Sequence, residues 1–154
     1  MGIFDWFKRQ SVGEADAPDV EPATEEGQGA VLGGLNFMTA IDAHMKWKTR
    51  LENYIQGNSK EDLRVDAICR DDQCTLGQWI HGTGGEQFAR MDIFGEMKAQ
   101  HAHFHACAGR VLTVAQLGRK DDALRMLQQG DYVRASERVK MLLAKLYVQI
   151  VERQ

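Results

Sequence analysis

Proline is nearly missing: the 154-residue chain holds two, Pro18 and Pro22, and none beyond. Proline inside a helix removes a backbone donor and clashes with the preceding turn, so its absence leaves everything after Pro22 free for long helices and weakens an all-β reading. Long apolar runs are also missing. No stretch reaches the roughly 18 to 20 residues that a membrane span requires, and no transmembrane segment is expected. Basic runs are scarce as well. The net charge of −3 divides into +1 for residues 1–10 and −6 for residues 11–30, which leaves about +2 for the remainder. A near-neutral body without a basic stripe excludes nucleic acid as a partner. Cysteine is sparse and odd in number, with Cys69, Cys74 and Cys107. No signal peptide precedes them, because the N-terminal apolar stretch is short, contains Asp5 and lacks a small-residue cleavage site. A reducing, cytoplasmic location is expected. Myristoylation at Gly2 is discarded because Trp6 stands where Ser or Thr is required.

The composition that remains, 44% hydrophobic and 27% charged, is that of one globular module. Residues 1–10 form an aromatic and basic tab, with Ile3, Phe4, Trp6 and Phe7 beside Lys8 and Arg9. It reads either as a small helix packing on its own domain or as a docking peptide. Residues 11–30 carry both prolines and six acids, the composition of a flexible acidic linker. The domain proper is 31–154.

Apolar periodicity predicts an all-α domain. A first helix is expected from about Val31 to Gly57 through Leu35, Met38, Ile41, Met45, Leu51 and Ile55, with His44 facing or bordering the core. A helical stretch near Lys60 to Cys69 follows, then a short helix starting at Gln73 or Cys74 with Asp71 or Asp72 as cap, ended by Gly82-Thr83-Gly84-Gly85. A long helix is expected from about Asp92 to Leu117, and another from Asp121 to about Val151 that Gly130 breaks or bends, with Asp131 able to cap the new start.

Four residues carry the chemistry. His101 and His105 are four apart, which stacks two imidazoles one turn apart on one helical face, a chelating spacing. His103 lies roughly 200° away at about 100° per residue, so it faces away with Cys107. Cys69, beside Ala67 and Ile68, reads as a small buried hydrophobe, and His81 as surface. Cys74 sits at a helix start, where the macrodipole favours thiolate. A lone inward histidine such as His44 is usually structural, and it becomes a ligand candidate only as part of such a set. Three imidazoles and a thiolate suit Zn²⁺ better than Mg²⁺ or Ca²⁺, which take oxygen ligands. A closed shell of four protein ligands leaves no position for substrate, so an enzyme is not expected.

The chain resembles the chemoreceptor zinc-binding domain, a bacterial family with a histidine on the first helix, a Cys-x-Leu-Gly-x-Trp segment and a later His-x-x-x-His helix. Here these are His44 with Trp47, Cys74-Thr75-Leu76-Gly77-Gln78-Trp79, and His101 to His105, at intervals of 30 and 27 residues. The resemblance covers about residues 33–150. It implies a four-helix bundle, with an additional short helix carrying the cysteine, that holds zinc on His44, Cys74, His101 and His105. It also implies a homodimer and a signalling partner of chemoreceptor or diguanylate cyclase type. No output module is visible in the sequence, so a separate partner protein is expected to receive the zinc or oxidant signal. The resemblance further implies attack on Cys74 by oxidants such as hypochlorous acid. Two rivals are a hemerythrin-like non-haem iron bundle, which would need carboxylates where Lys48 stands four residues after His44, and a metal-free helical adaptor.

Overall fold

The computed structural model describes residues 31–154, so the tab 1–10 and the linker 11–30 lie outside the described residues. Two short antiparallel strands open the described residues, β1 (Val31–Leu32) and β2 (Leu35–Asn36), with Leu32 opposite Leu35. This hairpin replaces the helical start expected at Val31. Gly33 and Gly34 both take positive φ, 59° and 87°, which closes a two-residue turn that β-branched residues could not make. Asn36 then caps helix α1 (Phe37–Ile55), its side-chain oxygen accepting from the Thr39 amide at 3.0 Å.

The buried face of α1 is Phe37, Ala40, His44, Trp47 and Leu51, at three- and four-residue steps. This face is rotated from the expected stripe: Met38 is 62% exposed, while His44 is buried. The helical stretch expected over 60–69 shrinks to α2 (Val65–Ile68). The chain before it is held to α1 by an Arg50–Glu61 ion pair, with the Arg50 guanidinium 3.6 Å above the Trp47 ring centroid. Two more short helices follow, α3 (Thr75–Ile80) and α4 (Thr83–Phe88), the latter formed from residues expected to end an element. Gly84 is needed there because an added Cβ would lie 2.4 Å from the Trp79 ring.

Three further helices complete the domain: α5 (Asp92–Gln116), α6 (Lys120–Gln128) and α7 (Asp131–Arg153). Gly130 separates the last two with φ 98°. The Asp131 side chain does not cap α7; it lies in the first turn, where its charge faces the positive helix end. Helices α1, α5, α6 and α7 form a four-helix bundle in which α5 packs most extensively on α7. The segment 58–91 lies over α5 as a short-helix layer carrying Cys74. Among the described residues no helix is long and apolar enough to cross a membrane.

Candidate metal centre

Four buried side chains from three segments meet inside the bundle: His44 from α1, Cys74 from the start of α3, and His101 and His105 from α5. Their ligand atoms all lie within 4.8 Å of one another. His101 Nε2 is 3.1 Å from His44 Nε2 and 3.0 Å from His105 Nε2. The Cys74 sulfur lies 3.3, 3.6 and 3.9 Å from the Nε2 atoms of His101, His105 and His44.

These separations can be tested against a metal shell. Bonds of about 2.05 Å to nitrogen and 2.3 Å to sulfur at tetrahedral angles give edges of about 3.3 Å between nitrogens and about 3.6 Å between nitrogen and sulfur. The observed nitrogen–sulfur edges straddle that value, and the two close nitrogen–nitrogen edges fall slightly below theirs. The donor set and its spacing fit zinc. Among the described residues no carboxylate belongs to the cluster, so the bridging groups that a hemerythrin-like iron site needs are not found there.

Two rings are set in the tautomer that metal binding requires. His44 Nδ1 donates to the Ala40 carbonyl at 2.7 Å, and His105 Nδ1 donates to the Ile68 carbonyl at 2.9 Å. A carbonyl only accepts, so each neutral ring carries its proton on Nδ1 and turns the Nε2 lone pair into the cluster. Neither acceptor was visible in the sequence, since backbone oxygens carry no side-chain signature. Ile68 can serve because α2 ends there and frees its carbonyl.

Electrostatics favour neutral donors. Burial, with a smaller contribution from His105, holds His44 down at about 3. Burial lowers His105 to about 4, and burial together with the neighbouring His105 and His44 holds His101 well below its ordinary range. Cys74 corrects one expectation. It is the cap of α3, not a residue of its first turn, and its sulfur accepts from the Gly77 amide at 3.3 Å. The amides of Gly77 and Leu76 favour thiolate, yet burial outweighs them and pushes the thiol up to about 12. A thiolate at this position therefore needs a cation beside it.

The local sequence explains how Cys74 is placed. A Cβ on Gly77 would stand 1.8 Å from the Asp71 carbonyl oxygen, so the glycine admits the chain's own preceding turn. Trp79 anchors the layer: its indole N–H donates to the Gly33 carbonyl at 2.7 Å, and its ring meets Phe37 edge-on. The other candidates stay outside. His103 is exposed, with Nε2 3.5 Å from the Cys107 sulfur, and His81 pairs with Asp71 at 3.2 Å. Cys69 is exposed, contrary to the expectation of burial, because the preceding Ile68 takes the inward position at the end of α2.

The family model of the chemoreceptor zinc-binding domain matches residues 44–112. Over these residues the chain belongs to the chemoreceptor zinc-binding domain family. The matched span begins at His44 and includes Cys74, His101 and His105. It contains the whole donor cluster, while α6 and α7 lie beyond it. No curated protein and no solved structure matches the chain significantly. The chemoreceptor zinc-binding domain and the three-histidine, one-cysteine cluster together make this a zinc-binding module.

Proposed function

We propose that His44, Cys74, His101 and His105 are the zinc ligands and that 31–154 is a cytoplasmic regulatory domain reporting zinc or oxidant status to a separate protein. The observation that carries this reading is the burial of four soft or borderline donors at metal-shell spacing, two of them already locked with Nε2 inward. A bound zinc ion supplies positive charge that stabilises the Cys74 thiolate and links three segments distant in sequence. Four protein ligands fill a tetrahedral shell, which supports a regulatory role over a hydrolytic one. Oxidation of Cys74 removes the thiolate ligand and couples oxidant to the same site. The receiver is a signalling protein of chemoreceptor or diguanylate cyclase type. The domain works as a homodimer, with the tab 1–10 on its acidic linker as a docking element for the receiver.

Metal analysis of the purified full chain tests the ligand set. One zinc per chain is expected, lost in Cys74→Ala and His105→Ala, and retained in His103→Ala. Equal loss from His103→Ala would remove the assignment by helical face. A pull-down comparing the full chain with one lacking residues 1–10 tests the tab.

A further inference from the structure

Resting on that ligand assignment, we infer that His101 is the labile ligand of the cluster, the ring that opens first when the metal exchanges. The three rings are alike in burial and in the nitrogen they turn inward. They differ on the far side. His44 and His105 are each tied by Nδ1 to a backbone carbonyl, which fixes both ring rotation and tautomer. His101 Nδ1 is buried with no hydrogen-bond partner among the described residues.

A ring that offers its Nε2 lone pair to a cation carries its proton on Nδ1. In His44 and His105 that proton has an acceptor; in His101 it points into buried space, a costly position for a donor. Release of the cation lets His101 relieve the mismatch. As the ring swings out far enough to meet water, it loses the Nδ1 proton and gains one at Nε2, with no net change in protons on the ring. Nε2–H then donates to the Nε2 lone pair of His44 at 3.1 Å or of His105 at 3.0 Å. The metal-binding tautomer is thus held by hydrogen bonds in two rings, and the metal-free tautomer in the third. His101 is also the ring closest to the Cys74 sulfur, at 3.3 Å.

Histidine-labelled NMR on the full chain, with zinc and after chelation, reads this directly. With zinc, the Nδ1 protons of His44 and His105 should be slowly exchanging, and that of His101 should exchange at least tenfold faster. After chelation only His101 should change to the Nε2–H tautomer. In competition with a chelator, His44→Ala and His105→Ala should each lose roughly 10- to 100-fold more zinc affinity than His101→Ala, the range by which outer partners of metal ligands act. Three equally protected protons, or equal losses in the three variants, overturn the hierarchy. If a variant fails to fold, the spectrum of the unsubstituted chain decides. Zinc addition that shifts none of the three rings overturns the ligand assignment itself, and the hierarchy with it.

Discussion

His44, His101 and His105 stand on helices of 19 and 25 residues, whereas Cys74 opens a six-residue helix in a layer whose other helices hold four and six residues. The long helices are stabilised along continuous buried faces. The layer sends Leu63, Ile68, Leu76, Trp79 and Ile80 into the same core, but from short elements that are tied down by single contacts: the Trp79 indole on Gly33, Gly77 under the Asp71 carbonyl, and the Arg50–Glu61 ion pair. Nitrogen donors are therefore placed by rigid scaffolding, and the sulfur donor by an element with little cooperative stability of its own. Occupancy of the proposed metal site is therefore expected to change the order of the layer more than that of the long helices.

Removing the metal should separate the behaviour of the two regions most. Structural zinc can contribute about 10 kcal/mol or more of apparent binding free energy. Chelation is expected to raise amide exchange across residues 65–88 at least tenfold more than across 92–116, as read by hydrogen-exchange mass spectrometry. A uniform rise would show that the two regions are one cooperative unit. Next comes Gly77→Ala, whose new methyl would meet backbone atoms of Asp71 at 1.8 and 2.8 Å. A loss of about 3 kcal/mol in denaturant unfolding, with weakened zinc binding, is expected.

pH acts differently on the sulfur and on the ring nitrogens. With His44 and His105 held at about 3 and 4, only the Cys74 proton competes with the cation near neutrality. Zinc affinity should rise about tenfold per pH unit between roughly pH 5 and 8, measured by chelator competition. The zinc-free domain should lose stability as pH falls below the ordinary histidine value of 6.5 toward about 4, because the unfolded chain takes up protons that the buried rings refuse. The smallest effect is Gly95→Ala on α5. Nothing lies within 4 Å of its added Cβ, so a gain of about 0.5 to 1 kcal/mol in thermal or denaturant unfolding is expected.

Much of the bundle was legible because long helices repeat their apolar positions at a regular step. The bounds of α5 and the break at Gly130 follow from local signals that nothing in the tertiary structure overrides. The layer was read less well. Its elements are too short for periodicity, so the stretch 60–69 was expected to be longer than α2, and Cys69 was expected inside. The hairpin 31–36 was missed because Gly33-Gly34 acts through positive φ, which an apolar pattern does not register. Met38 and Met45 drew the stripe of α1 away from its true face, since methionine is apolar but was not what the core selected.

The amino-acid order alone determined which side chains can bind a soft divalent ion and which histidines share a helical face, because ligand chemistry and the helical step are local properties. Tertiary packing alone decided that a sulfur and three ring nitrogens converge, and which carbonyls orient the rings, because the groups that meet lie as far apart in the chain as His44 and His105. It also decided that Cys74 needs a cation to stand as a thiolate: the helix start favours the thiolate, and burial outweighs that preference.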